Sequence, residues 1–181
     1  MKGYLVVDNF YQDPDKIRSQ ALGAQFSKKH PKYPGMDSDV TFSYEEAIKK
    51  IHDYLQYETT PAKFSGFFRL SLENKNYTEG HGVHVDNYDI AVIIYLTKVS
   101  KTPGTQFVRH KPSGLTDFYH IKKSPHLNAN WQQIESAEII KKIVNDMEKN
   151  DQSLWEKYDE VEYCFNRALI MRGNMFHRLA E

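Results

Sequence analysis

The apolar run Ile90 to Leu96 (IAVIIYL) restricts the fold more than any other stretch of this chain. It is rich in β-branched residues and short, which favours a buried β-strand. The run is also far short of the roughly 20 apolar residues that a membrane-spanning helix requires. The only His-x-Asp of the chain, His84 and Asp86, comes just before it. Side chains two residues apart on a strand face the same side, so both could bind one metal ion.

A third ligand for such a site would have to come from far along the chain. His177 follows a second apolar segment near the end of the sequence and is placed to supply it. Two imidazoles and one carboxylate on one face form the ligand set of non-haem Fe(II) centres, which keep open coordination positions. The alternative for His84 and Asp86 is a solvent-exposed turn after Gly82 without a metal.

Length and charge limit the class of protein. A chain of 181 residues fits a single domain. Its formal net charge of zero argues against a domain that binds nucleic acid by neutralising phosphates. Cys164 is the only cysteine, which excludes an intramolecular disulfide and favours a reducing compartment. These features, together with an N-terminus too polar for a signal peptide, predict a cytoplasmic protein that does not enter a membrane.

The periodicity of apolar residues predicts an α+β fold with a β-sandwich or barrel core. Ser43 followed by Glu46 is a capping-box pattern at the start of the second predicted helix. His30 to Asp39 is predicted as a loop, and an irregular and helical insertion is predicted at about 111–163, with 155–162 unassigned. The predicted helices are Pro14 to Ala24, Ser43 to Tyr57 and Ser136 to Lys149; the predicted strands are Tyr4 to Val7, Phe67 to Leu72, Ile90 to Leu96, Thr105 to Arg109 and Phe165 to Met171.

The segment His84-Val85-Asp86-Asn87, followed by IAVIIYL, resembles the His-x-Asp region of the prolyl-4-hydroxylase-like Fe(II)/2-oxoglutarate dioxygenases. The similarity extends over most of the chain, and the matching features occur in the same order as in the family. The matching features are the opening VVDNFYQDP, Tyr77 and Gly80 before the pair, Tyr95-Leu96-Thr97 at the strand end, Pro103 to Phe107, and Asn166 to Ile170 leading to His177.

This resemblance implies a double-stranded β-helix (jelly-roll or cupin-like) core with the N-terminal helices packed on one sheet. It implies Fe(II) bound by His84, Asp86 and His177, with 2-oxoglutarate as cosubstrate contacted by Tyr95 and Tyr77. The family usually anchors the distal carboxylate of the cosubstrate with a cation nine to eleven residues after the second His, but only four residues follow His177 here.

Either the chain is cut short or another cation binds that carboxylate. Arg69, Arg167 and Arg172 are candidates because each lies in or beside a predicted strand, and Arg167 is assigned as a cosubstrate-binding residue. Arg178 is adjacent to His177, so on a strand it would face away from the metal.

The function implied is hydroxylation of an unactivated C–H bond in a protein side chain or small metabolite, with molecular oxygen as a reactant. Two alternatives remain open: a cupin-like module that binds a metal or ligand without catalysis, and an interaction domain without a metal. The sequence does not identify the substrate. The segments His30 to Asp39 and Lys111 to Tyr163 are expected to form substrate walls, since variable loops around a rigid core carry specificity.

Overall fold

A computed structural model of the protein describes residues 3–28, 35–62, 65–70, 82–98, 103–119, 121 and 124–180. These residues form an α+β fold, with a short 3₁₀-helix at Gln152–Leu154. The other elements are β1 (Tyr4–Val7), α1 (Pro14–Leu22), β2 (Phe26–Lys28), β3 (Met36–Ser38), α2 (Glu45–Leu55), β4 (Arg69–Leu70), β5 (Ile90–Ile94), β6 (Thr105–His110), α3 (Ala129–Gln132), α4 (Ser136–Lys149), β7 (Trp155–Val161), β8 (Ala168–Arg172) and β9 (His177–Leu179).

The strands form three antiparallel sheets of three strands each. We call them the first sheet (β1-β8-β5), the second sheet (β7-β6-β9) and the third sheet (β2-β3-β4). Within the described ranges the strands do not close into a barrel. The α+β class is therefore confirmed, while the jelly-roll core stays a prediction.

Strand β8 has apolar neighbours on both of its faces. Leu169 and Met171 lie in a cluster with Phe107 of β6 and Val161 of β7, so the first and second sheets face each other there. The alternate side chains of β8 point to the opposite side of the first sheet, because successive residues of a strand face opposite ways. This double burial explains why the sequence of β8 is continuously apolar rather than alternating.

The outer face of the first sheet is covered by the two N-terminal helices. Ile17 of α1 and Ala47 of α2 pack in one buried cluster with Ala168 and Ile170 of β8. Helix α1 is capped as its sequence predicts, since the Asp13 carboxylate accepts a hydrogen bond from the Lys16 N–H (3.0 Å) and Pro14 opens the helix. The placement of the N-terminal helices on one sheet agrees with the expectation from the sequence.

The capping box predicted for α2 is wrong. The helix begins at Glu45, and its N-cap residue Tyr44 makes no side-chain capping bond. The Glu46 carboxylate instead accepts hydrogen bonds from the Gln12 N–H (3.1 Å) and the Lys50 ammonium (2.9 Å). Glu46 therefore connects α2 to the chain before α1 rather than closing its own helix end.

Helix α4 matches the predicted bounds and covers the outer face of the second sheet. Its fully buried Ile139 and Ile143 pack in one cluster with Val108, Trp155 and Phe176. Since Phe176 directly precedes His177, this cluster fixes the start of β9. None of the described helices is long and apolar enough to cross a membrane.

The irregular and helical insertion predicted at about 111–163 needs one correction, because Trp155–Val161 within it form strand β7. It pairs with the whole of β6, from Thr105 opposite Val161 to His110 opposite Trp155. The register shifts between Phe107 and Val108. A shift of this kind interrupts the two-residue alternation from which a strand is recognised in a sequence.

Strand β3 is a second correction, because it lies inside the predicted loop His30 to Asp39. It pairs with β4 through Met36 opposite Leu70 and Asp37 opposite Arg69. The last two residues of the predicted strand Phe67 to Leu72 lie outside the described residues.

Candidate metal centre

Backbone pairing brings His84 and His177 together. The His84 N–H donates to the His177 carbonyl (3.0 Å) and the His177 N–H donates to the His84 carbonyl (3.1 Å). Residues that exchange both bonds lie directly opposite each other with their side chains on the same face. The two imidazole rings are accordingly 4.2 Å apart between centroids.

Asp86 is held beside this pair by the turn between β8 and β9. Its N–H donates to the Gly173 carbonyl (2.7 Å), and the Gly173 N–H donates to the Asp89 carbonyl (3.0 Å). The Asp86 carboxylate lies 3.6 Å from Nε2 of His177. One ligand atom each of His84, Asp86 and His177 lies within 4.8 Å of the others. The structure thus brings together the three residues predicted to bind metal.

The hydrogen bonds of the two imidazoles determine which nitrogen faces the cluster. Nδ1 of His84 lies 3.1 Å from the Gly82 carbonyl oxygen, and Nδ1 of His177 lies 2.9 Å from the Met175 carbonyl oxygen. A carbonyl oxygen can only accept, so both Nδ1 atoms carry the proton and both neutral rings keep an Nε2 lone pair. This arrangement orients metal-bound histidines in proteins generally. The donor set therefore fits a divalent transition metal.

Burial favours the neutral form of His177. Its side chain is only 4 % exposed, and this burial lowers the pKa of the imidazole, against the opposing effects of the Met175 carbonyl and the Asp86 carboxylate. The side chain of Asp86 is 32 % exposed, so its carboxylate lies on the side of the cluster that faces solvent. A neutral imidazole is the form that binds metal.

The sequence from residue 2 to residue 178 matches the model of a family of unknown function, DUF6445. The chain belongs to this family. Neither the curated proteins nor the solved structures contain a match. The functional interpretation of this DUF6445 member therefore depends on the chemistry of its own residues.

Residue 173 must be glycine because the backbone at Asp86 and Tyr88 passes very close to it, next to the His84–Asp86–His177 cluster. A Cβ atom there would lie 1.9 Å from the Tyr88 carbonyl oxygen and 3.0 Å from the Asp86 carbonyl oxygen. Gly173→Ala is therefore expected to destabilise the protein by about 1–3 kcal/mol, as overpacking does, and to weaken metal binding by displacing Asp86. Chemical denaturation and metal titration measure the two effects.

Gly23→Ala is the matched control for this substitution. The nearest atom to its added Cβ would be the Ser19 carbonyl oxygen at 3.5 Å, which is an ordinary contact. It should change stability by no more than about 0.5 kcal/mol. Equal behaviour of the two variants would contradict the role given to Gly173.

Tyr95, which was predicted to contact the cosubstrate, does not join the His84–Asp86–His177 cluster. Tyr95 is buried between the first and second sheets, and its hydroxyl is 2.8 Å from the Thr105 hydroxyl. Burial raises the pKa of its phenol. The Tyr95 N–H binds the Arg167 carbonyl (2.9 Å), which lies beyond the end of β8 opposite to Gly173. Tyr77 lies outside the described residues.

Arg167 is a correction among the predicted cosubstrate residues. Its guanidinium binds the Asp8 carboxylate through Nε (2.6 Å) and Nη2 (3.1 Å), and its Nη1 donates to the Glu162 carbonyl (2.7 Å). Arg167 and Gly173 are also separated by the length of β8, about 20 Å at 3.3 Å per residue. Because of this ion pair and this distance, Arg167 does not reach the His84–Asp86–His177 cluster.

The other two candidates, Arg69 and Arg172, also have partners, as does Arg178 beside His177. Arg69 binds both oxygens of Asp37 in the third sheet (2.8 and 3.2 Å), and Arg178 donates to the Gln106 amide oxygen (3.0 Å). Arg172 directly precedes Gly173; its Nη2 lies 3.3 Å from the Asp117 carboxylate, and its guanidinium stacks 4.9 Å from the Tyr119 ring centroid. Arg172 is the candidate that lies beside the turn holding Asp86.

His110 belongs to a buried network that the sequence did not indicate. Its Nδ1 is 2.8 Å from the Ser113 hydroxyl, and its Nε2 is 3.3 Å from the Asp146 carboxylate of α4. The ring lies between Trp131 and Trp155, with centroids 5.7 and 4.8 Å away. His110 is fully buried, so the network connects α4 to the second sheet rather than exposing a nucleophile.

This burial predicts a loss of stability in acid. Desolvation lowers the pKa of His110 below its ordinary 6.5, although Asp146, which also binds Lys149, acts in the opposite direction. Below pH 6.5 the unfolded chain binds a proton that the folded chain does not, so stability falls as pH falls toward the folded pKa. One such proton gives at most about 1.4 kcal/mol per pH unit.

The measurement is urea unfolding at several pH values between 5 and 7.5. We expect His110→Asn to be less stable near neutral pH but to lose less stability than the wild type on acidification. Exposed His126 supplies the control, and His126→Ala should keep the wild-type slope. Parallel slopes for wild type and His110→Asn would rule out this source of acid sensitivity.

Proposed function

We propose that this protein is an Fe(II)- and 2-oxoglutarate-dependent oxygenase whose metal is held by His84, Asp86 and His177. One observation carries the proposal: the ligand atoms of two imidazoles and one carboxylate lie within 4.8 Å of one another. The metal and cosubstrate, when bound, would supply oxidation of an unactivated C–H bond coupled to decarboxylation of 2-oxoglutarate to succinate.

The residues of the chain would orient and protect this centre. The Gly82 and Met175 carbonyls hold both imidazoles with Nε2 toward the metal position, and the turn at Gly173 holds Asp86. The burial of His177 keeps water from one side of the centre. Three ligands on one face leave the remaining positions for cosubstrate and oxygen.

Two features support the finer fold assignment, a double-stranded β-helix. The first and second sheets pack face to face around Phe107, Leu169 and Met171. The chain also runs from His84, which pairs with His177 of β9 in the second sheet, into β5 of the first sheet. The proposed core thus consists of two opposed antiparallel sheets with the metal ligands at one margin.

We assign the anionic end of the cosubstrate to Arg172 in place of Arg167. Arg172 adjoins Gly173, and its 3.3 Å contact with Asp117 is longer than an optimal charged hydrogen bond. A carboxylate could therefore compete with Asp117 for this guanidinium. The substrate is proposed to be a small metabolite or a protein side chain, and the single cysteine suits a cytoplasmic location.

A module that binds metal without catalysis is the second candidate. The observation that favours it is that Arg69, Arg167, Arg172 and Arg178 all have partners in the described structure. On this alternative the triad would bind a metal, but no cation would be available for 2-oxoglutarate.

Titration of the anaerobic protein with Fe(II) and then 2-oxoglutarate separates the two candidates. The oxygenase predicts a weak visible charge-transfer band when 2-oxoglutarate is added, and succinate formation in air. The module predicts metal binding without the band, and an absence of stoichiometric metal binding would contradict both.

The ligand variants test the assignment of residues. His84→Ala and Asp86→Ala should abolish succinate formation, because each removes one of three protein ligands. His126→Ala changes an exposed histidine outside the cluster and should leave turnover unchanged. Unchanged succinate production in either ligand variant would overturn the assignment.

A further inference from the structure

A groove of about 510 Å³ lies where the edges of the first and second sheets approach each other. Strand β1 is the edge of the first sheet and β7 is the edge of the second. The groove is lined by Tyr4, Leu5 and Val6 of β1, by Asp159, Glu160 and Val161 of β7, and by Glu162 and Arg167. It lies on the side of the sandwich opposite to β5 and β9, and so away from the metal cluster.

Side chains join the two edges at both ends of the groove and leave its middle open. At one end the Tyr4 hydroxyl donates to the Asp159 carboxylate (2.6 Å). At the other end Arg167 binds the Asp8 carboxylate (2.6 Å) and the Glu162 carbonyl (2.7 Å). Between these contacts, Leu5 and Val6 remain 44 % and 41 % exposed.

The backbone of β1 offers hydrogen-bonding groups along this groove. The Arg172 N–H binds the Gly3 carbonyl (3.0 Å), so Gly3, Leu5 and Val7 are the residues of β1 that bond to β8. Because bonding alternates along an antiparallel strand, the N–H and C=O of Val6 point away from β8. An exposed edge strand with apolar side chains is a template for another extended chain.

The charges that line the groove indicate which kind of peptide would bind there. Three acidic residues, Asp159, Glu160 and Glu162, stand in four consecutive positions along its β7 side. Arg167 of the lining is already paired with Asp8, and Glu160 accepts from Lys157 (3.0 Å) and from the Gln106 amide (3.3 Å). An added cation would therefore meet the exposed Glu162 and compete with Lys157 for Glu160.

Tyr4 packs between the sheets and Val7 on the outer face, so Val6 faces the β7 side and Leu5 the outer side. A ligand with apolar residues beside Leu5 and cationic residues facing β7 would complement both sides.

We propose that the groove binds an extended segment of a partner protein in which lysine or arginine alternates with apolar residues. The segment adds to the edge of β1 that is exposed in the described structure, and it does so through its backbone, a mode of recognition known as β-strand addition. Its cations lie against Glu162 and, in competition with Lys157, against Glu160. This surface does not depend on the proposed oxygenase activity.

Synthetic peptides test the proposal on the full chain. The probe is acetyl-Thr-Lys-Val-Lys-Val-Thr-amide with a fluorescent label, and its matched comparison carries Glu in place of both Lys. We expect saturable binding of the lysine peptide, weakened by salt, and at least tenfold weaker binding of the glutamate peptide. A lysine peptide N-methylated at alternate residues keeps its charge but loses donors, and should also bind at least tenfold more weakly.

Variants locate the binding on the protein. Val6→Lys places a cation on the exposed edge and should reduce the affinity for the lysine peptide at least tenfold, whereas Val40→Lys changes a 60 % exposed valine elsewhere and should not. Circular dichroism of both variants verifies the fold. Equal binding of the lysine and glutamate peptides, or no effect of Val6→Lys, would overturn the proposal. Self-association that Val6→Lys abolishes would also overturn it, since the edge would then bind a second copy.

Discussion

Asp86→Asn is expected to lower the affinity of the protein for Fe(II) at least about 100-fold. Changes to residues that merely support a metal ligand already reduce affinity about 10- to 100-fold, so loss of the charged ligand should do at least as much. Asparagine keeps the size of the side chain and the N–H bond of residue 86 to the Gly173 carbonyl. The substitution therefore removes charge from the cluster with little change in its backbone support.

Anaerobic calorimetry with Fe(II) measures this affinity directly. Thermal unfolding provides a second measurement, because a metal present at 100 times its dissociation constant stabilises the folded state by about 2.7 kcal/mol. Wild-type protein should show this gain, and Asp86→Asn should not. The metal-free forms of both proteins should unfold at similar temperatures.

Asp89→Asn is the matched control, since Asp89 lies three residues further on and its backbone carbonyl accepts from the Gly173 N–H. It should bind Fe(II) as the wild type does. If Asp86→Asn bound the metal equally well, the carboxylate would not be a ligand, and the proposed centre would fail with it.

The local pattern of the sequence was sufficient to predict the metal cluster. His84 and Asp86 have strand spacing, and the apolar run after them predicts the strand that begins at Ile90. His177 was proposed as their partner because it follows a second apolar segment near the end of the sequence, and the resemblance implied the same role. The carbonyls of Gly82 and Met175, which orient the rings, had no sequence signal because any residue type supplies a carbonyl.

The errors arose where contacts between distant segments decide the structure. Arg167 was assigned to the cosubstrate because it precedes a strand, but Asp8, far away in sequence, binds it. The capping box failed because Lys50 and the distant Gln12 bind Glu46. Strand β7 was missed because the register shift opposite Phe107 breaks its alternation.

Phe176→Ala is expected to destabilise the protein by about 3–5 kcal/mol, the usual effect of removing a buried aromatic ring. Phe176 is fully buried and meets Phe118 and Trp155 edge-on, with ring centroids 4.8 and 5.6 Å away. A typical domain is stable by only about 5–15 kcal/mol, so this variant should be close to unfolding at 37 °C. Urea denaturation measures the change.

Tyr57→Ala is the control for Phe176→Ala. It removes an aromatic ring that is 53 % exposed and should lower the free energy of unfolding by no more than about 0.5 kcal/mol. Phe176→Leu keeps most of the buried volume and should recover most of the stability. A cost below about 1 kcal/mol for Phe176→Ala would mean that the ring is not packed as described, since cavities of this size cost more.

Phe176→Ala also tests whether packing of the core supports the candidate metal site. The Phe176 N–H binds the Thr116 carbonyl (2.9 Å) and its carbonyl accepts from the Val108 N–H (3.0 Å), so the residue fixes the backbone immediately before His177. Loss of the ring should loosen this backbone and weaken Fe(II) binding in Phe176→Ala under conditions where the variant is still folded. Phe176→Leu should bind Fe(II) close to the wild-type affinity, because its retained packing keeps His177 opposite His84.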